Sequence, residues 1–139
     1  MELVECINKY WEFVRKLRIN PKVINSFVDQ NFITKSDQLK YMKENSMFFK
    51  ICLKGILPVG YIGLIGVNKD EITLCVDPSY QSIGIGSFML KEFINSIDIP
   101  VWSKVKKENY KSGKLFIKAG FEEKMKKNNF IYFTYTNEK

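Results

Sequence analysis

Ile72-Thr73-Leu74-Cys75-Val76-Asp77-Pro78-Ser79-Tyr80-Gln81-Ser82-Ile83-Gly84-Ile85-Gly86-Ser87-Phe88-Met89-Leu90 is the stretch from which the fold is read. Its first five residues have the composition of a buried strand. Asp77-Pro78 ends the ladder, because proline has no N–H to donate and pushes the residue before it away from helix. A short loop carries Gly84 and Gly86, and a helix follows with Phe88, Met89, Leu90, Phe93, Ile94 and Ile97 at helical spacing. A strand, a glycine-bearing loop and a helix N-terminus together make a phosphate cradle. The first turn of a helix offers unpartnered N–H groups and a positive dipole end, and glycine lets that backbone approach an anion closely. The spacing fits neither the dinucleotide pattern G-x-G-x-x-G nor the P-loop G-x-x-x-x-G-K-[ST].

The totals narrow the field. A chain of 139 residues is one domain, 1–139, with 45% hydrophobic and 27% charged residues, as in ordinary globular proteins. No stretch has the length of a membrane span, and Met1-Glu2-Leu3-Val4-Glu5 lacks the order of a signal peptide, so a cytoplasmic protein with no membrane partner is expected. Cys6, Cys52 and Cys75 form no CxxC pair, and Cys52 and Cys75 lie in apolar runs that read as core. The chain has no histidine, which removes His-based triads and leaves no expected metal site. The formal charge of +7 favours anionic partners. Nucleic acid is a poor fit, since no basic helix stands out and Arg15 and Arg18 are the sole arginines. Lys104, Lys106, Lys107, Lys111, Lys114 and Lys118 form the one marked cluster.

Outward from the central stretch, Leu3–Cys6 reads as either a short strand or a helix start. Ile7, Tyr10, Trp11, Val14 and Leu17 mark a helix face that ends near Asn20-Pro21, and Pro21 opens a helical turn through Val23, Ile24 and Phe27. Thr34 or Ser36 caps a further helix with Leu39 and Met42 inward. Met47–Leu53 and Gly60–Val67 read as strands leading into the central one. After the central helix, Ile99–Val105 is a strand able to pair in parallel with Ile72–Val76, since a helix supplies the crossover. A helix over Asn109–Lys118 closes with Gly120 as its left-handed cap and Phe121 packing back. Glu122–Lys126 and Phe130–Tyr135 make a final hairpin. The expected class is α/β (α+β): a mixed, mostly antiparallel sheet of six or seven strands, about four helices, and one parallel pair.

Gln81-x-x-Gly84-x-Gly86 behind Val76-Asp77-Pro78 resembles the acetyl-CoA-binding motif of the GNAT superfamily of N-acetyltransferases, [RQ]-x-x-G-x-[GA]. Asn109-Tyr110-Lys111-Ser112 with Leu115-Phe116-Ile117-Lys118-Ala119-Gly120-Phe121 is similar to the family's N-x-x-[SA]…L-Y-x-x-x-G-F segment. The resemblance runs along nearly the whole chain and puts the parallel pair at the cofactor cleft. It implies that Gln81 and Ser82 shape the loop and that N–H groups of Ile83, Gly84, Ile85, Gly86 and Ser87 hold the diphosphate of acetyl-CoA. It places Leu74 and Val76 beside the pantetheine, where a backbone N–H supports the developing oxyanion, and Asn109 and Ser112 on the cofactor arm. A carboxylate near the start of the central strand is implied as base; Asp70 and Glu71 alternate in facing, so at most one points to the site. The family's acidic Tyr is Phe116 here, so either Tyr110 or Tyr80 supplies the proton or the thiolate departs without a dedicated acid.

Leu17-Arg18-Ile19-Asn20-Pro21, Phe27, Ile33-Thr34 and Gln38 resemble the branch of nucleotide-linked amino-sugar and ribosomal-protein acetyltransferases, and Trp11, Phe32, Tyr41 and Tyr132 are candidates to stack a base or sugar. The implied activity is acetyl-CoA-dependent N-acetylation of a small-molecule primary amine, with an amino sugar as the favoured acceptor. The alternatives are a non-catalytic acyl-CoA-binding module or transfer to a protein amine. The molecule is expected as monomer or homodimer.

Overall fold

The computed structural model describes residues 1–23, 34–81 and 83–136. Seven strands, β1 (Glu2–Glu5), β2 (Phe49–Lys54), β3 (Leu57–Ile65), β4 (Glu71–Val76), β5 (Val101–Lys106), β6 (Glu122–Lys127) and β7 (Phe130–Tyr135), form one sheet ordered β1-β2-β3-β4-β5-β7-β6. Every neighbouring pair is antiparallel except β4–β5. Among the described residues four helices, α1 (Trp11–Arg18), α2 (Lys35–Asn45), α3 (Ile85–Asn95) and α4 (Tyr110–Lys118), flank it. The class, strand count, helix count and single parallel pair are those expected. Leu3–Glu5 resolves as strand, because its alternation lets it pair along β2.

Period-two alternation divides the core into two layers. Ile72 and the flanking apolar residues of β5 and β7 pack with Met89, Leu90, Phe93 and Ile94 of α3 and Phe116 of α4. On the opposite face Ile51, Tyr61 and Cys75 pack with Val14, Leu17 and Met42 of α1 and α2. Cys6, Cys52 and Cys75 are buried free thiols.

The ends of the helices follow from local chemistry. Thr34 Oγ1 accepts from Asp37 N at 3.1 Å and caps α2, so the cap is Thr34 rather than Ser36. Asn109 Oδ1 accepts from Ser112 N at 3.4 Å and caps α4. At the other end of α4, Gly120 takes φ +100°, its N–H donates to Ile117 O and the Phe121 N–H donates to Phe116 O, both at 3.0 Å. Phe121 then meets Phe116 edge-on at 5.0 Å between ring centroids, the hydrophobic closure of this stop. Asn128 and Asn129, at φ +52° and +68°, make the two-residue turn between β6 and β7.

Two expected inward residues face out. Ile7 is 48% exposed, because the chain makes a 3-10 turn over Asn8–Tyr10 before α1 begins. Leu39 is also 48% exposed, and its neighbour Gln38 is buried, with Nε2 donating to Trp11 O at 3.2 Å. Of the turn expected after Pro21, Val23 is buried, while Ile24 and Phe27 lie outside the described residues, as do Phe32 and Ile33. No described helix is long and apolar enough to cross a membrane.

Candidate active site

The site is a fork in the sheet. β4 and β5 share one register pair, Glu71 with Trp102. Around it, Trp102 N donates to Asp70 O at 3.0 Å, Trp102 Nε1 donates to Asp70 Oδ1 at 3.1 Å, and Ser103 Oγ donates to Ile72 O at 3.1 Å. Beyond these bonds the strands part. The Asp70 and Ile72 carbonyls face β5, so strand alternation turns the main-chain groups of Leu74 and Val76 to the same edge, into the gap. Asp77 N, on the alternate set, donates the other way to Val59 O at 2.8 Å. A cavity of about 950 Å³ runs through the fork from the α3–α4 side of the sheet to the α1–α2 side.

On the α3–α4 side the fork opens at the start of α3. Gly84 stands in the N-cap position at φ +87° and contributes no side-chain cap, whereas α2 and α4 are capped by their own side chains. The first helical bond is Phe88 N to Gly84 O at 3.0 Å, so the N–H groups of Ile85, Gly86 and Ser87 are the unpaired donors of the first turn. A Cβ built on Gly84 meets no atom within 4 Å, so the space over this turn is open. Gly86 has a different job: a Cβ there would lie 3.3 Å from Leu115 Cδ2, so its absence lets α3 and α4 approach. Gln81, Gly84, Ile85, Gly86, Ser87, Asn109, Lys111 and Ser112 all line this end. An open turn with unpaired donors, reached by a gap edged with main-chain groups, fits a diphosphate bearing an extended amide arm.

On the α1–α2 side, Glu71, Thr73 and Cys75 line the cavity together with Arg18, Lys22, Asp37, Tyr41, Tyr61 and Lys104. Burial holds the Glu71 carboxyl above the usual carboxylate range; Lys104 opposes this and Asp70 adds to it. Burial pushes the Cys75 thiol up to about 12, which keeps it a neutral thiol. The phenol of Tyr61 is likewise raised well above its ordinary value by burial.

The fork thus separates the two adjacent carboxylates. Glu71 lines the cavity, while Asp70 is taken up by the Trp102 indole and does not. Leu74 and Val76 line it as well. Tyr110 is 75% exposed and lies outside the lining, because the first residue of α4 projects to solvent; Tyr80 does line the cavity. Ile83 is 53% exposed and also outside it, and Ser82 falls outside the described residues. Phe116 lines the cavity but is 3% exposed, stacked on Phe133 at 5.7 Å. Sequence reasoning missed Ser103. A serine between Val101 and Val105 on the buried face of β5 was the available signal.

Residues 45–123 match the family model described as the acetyltransferase (GNAT) domain. No curated protein matches the sequence. Among solved structures the chain is similar to yncA of Salmonella typhimurium, solved with acetyl-CoA, at TM-score 0.85 and 11% identity over 100% of this chain and 95% of that one. It is similar to a ribosomal-protein-alanine N-acetyltransferase of Brucella melitensis at TM-score 0.83 and 12% identity, covering 98% and 99% of the two chains. It is also similar to a spermidine N-acetyltransferase of Vibrio cholerae, solved with CoA and spermine, at TM-score 0.80 and 13% identity, covering 96% and 92%.

Proposed function

The chain belongs to the GNAT acetyltransferase family, and we propose that it moves an acetyl group from acetyl-CoA to the primary amine of a small molecule. The observation that carries this reading is the fork, whose gap is edged by the main-chain groups of Leu74 and Val76 and opens onto the uncapped first turn of α3. When bound, acetyl-CoA supplies a thioester, an acyl carbon already activated toward an amine.

The chain's own groups divide the remaining tasks. The N–H groups of Ile85, Gly86 and Ser87 hold the diphosphate, with Gln81 and Lys111 at its edge. The Asn109 and Ser112 side chains border the arm. A backbone N–H of Leu74 or Val76 stabilises negative charge on the carbonyl oxygen. Glu71 accepts a proton from the incoming amine, and burial, which raises its affinity for a proton, favours that role. Tyr80 is the hydroxyl available to return a proton to the departing sulfur. The acceptor enters from the α1–α2 side, where Arg18, Lys22 and Lys104 face Asp37 and Glu71. Three cations against two carboxylates favour an amine on an anionic carrier, and a nucleotide-linked amino sugar has that chemistry.

Calorimetric titration with acetyl-CoA, followed by thiol release against simple amines and nucleotide-linked amino sugars, tests the reading. Saturable binding and release with one acceptor class are expected. Absence of binding would overturn the proposal. Binding without release on any amine would leave a module that holds acyl-CoA, a reading favoured by the replacement of the usual tyrosine with buried Phe116.

A further inference from the structure

The fork needs a cause. β4 stays in unbroken register with β3 from Glu71–Ile65 to Val76–Gly60, so no bulge in β4 turns it away from β5. A parallel ladder starting at Glu71–Trp102 with Trp102 N on Asp70 O would continue with Lys104 N donating to Ile72 O and Leu74 N donating to Lys104 O. The pair this would make, Thr73 with Lys104, is not formed. The Ile72 carbonyl has instead the Ser103 hydroxyl, 3.1 Å away and buried, with Ser103 only 4% exposed.

We infer that Ser103 is a positioning residue: its hydroxyl takes the Ile72 carbonyl in place of the Lys104 N–H and so stops the β4–β5 ladder at the apex of the fork. Satisfying a buried carbonyl by a side chain removes the drive to close the next step, because an unmade buried hydrogen bond is what makes an open ladder costly. The stop keeps the Leu74 main chain facing the gap instead of β5. This rests on the proposed use of the gap for acetyl-CoA, but the ladder itself is observable without ligand.

The test uses Ser103→Ala, with Ser103→Thr to restore the hydroxyl and Ser103→Val as the threonine's shape without it. Without the hydroxyl, Lys104 N takes the Ile72 carbonyl and the apex advances by two residues, roughly 6–7 Å. In the ligand-free protein, hydrogen exchange at the Lys104 and Leu74 amides is then expected to slow at least tenfold in the Ala and Val variants and to stay at the parent rate in Thr. Acetyl-CoA affinity is expected to fall at least tenfold in Ala and Val, with the melting temperature unchanged or raised. Parent exchange rates at both amides in Ser103→Ala would overturn the ladder stop. So would a Thr variant that loses affinity and melting temperature together with Ala, since that pattern belongs to packing. Failure of the parent protein itself to bind acetyl-CoA would overturn the functional reading, while the exchange result would still decide the ladder.

Discussion

The indole Nε1 of Trp102 donates to Asp70 Oδ1 at 3.1 Å, across the single register step that joins β4 to β5. Asp70 is thereby a strut of the fork, and Glu71, one residue on, faces the cavity. The two neighbouring carboxylates therefore have different surroundings, Asp70 bonded to the Trp102 indole just before β4 begins and Glu71 on the cavity lining.

Glu71→Gln is expected to lower kcat/KM for the acceptor by about 10²–10³-fold, the usual range for a lost general base. Asp70→Asn, whose side-chain oxygen still accepts from the indole, should stay within about threefold of the parent, a limit set by retention of that hydrogen bond. Steady-state kinetics on both variants decides between them. Equal losses would mean that Asp70 shares the proton transfer.

A base works only when ionised, so activity should be present above the Glu71 pKa and fade as the pH falls through it. Burial raises that pKa, Lys104 lowers it and Asp70 raises it. Removing the Asp70 charge should therefore move the acidic limb of the kcat/KM profile to lower pH, and Lys104→Met should move it to higher pH. Displacements in the same direction would assign the limb to another group, such as the acceptor amine.

Gly84 holds φ +87° at the mouth of the cradle. Gly84→Val should lose about 1–2 kcal/mol of stability, because a branched side chain is strained in left-handed backbone. Asparagine visits that region readily, so Gly84→Asn should keep its melting temperature while its side chain weakens acetyl-CoA binding tenfold or more. Unchanged binding in Gly84→Asn would move the diphosphate away from this turn.

Tyr80 and Tyr110 were the two candidate acids, and they occupy opposite surroundings. Tyr80→Phe should lower kcat by about 10²-fold, whereas Tyr110→Phe, at a side chain 75% exposed, should leave it unchanged. If neither change slows the reaction, the thiolate leaves without a dedicated acid.

The parts of this architecture that local chemistry dictates were legible in the sequence. The Val76-Asp77-Pro78 stop and Gly84 announced the strand, loop and helix. The Gly120-Phe121 pair announced the C-terminal end of α4, since such caps are encoded within a few residues of where they act. What depends on partners distant in the chain was not legible. That Glu71 and not Asp70 lines the cavity goes with Trp102, 31 residues further on, which pairs with Glu71 and bonds Asp70. Ser103 was not singled out, because its partner, the Ile72 carbonyl, lies 31 residues away in the chain. Leu39 misled because α2 shows so little apolar periodicity that the buried polar side chain of Gln38, bonded to Trp11, set the helix rotation instead.

The sheet is held together across its middle by the few bonds at the fork's apex. On one side stand β1–β4 with α3 against them, and on the other β5–β7 with α4; the close passage of Gly86 by Leu115 is a second joint. The molecule is thus two leaves of sheet over one shared core, in which α3 packs with Val101, Val105, Phe116 and Phe133, and a ligand in the gap would lie between them. A ligand at one hundred times its Kd should raise stability by about 2.7 kcal/mol through mass action alone. Here that gain should come with a stiffening of one leaf against the other. Each turnover would then begin with the protein clasped and end, on product release, with it loosened.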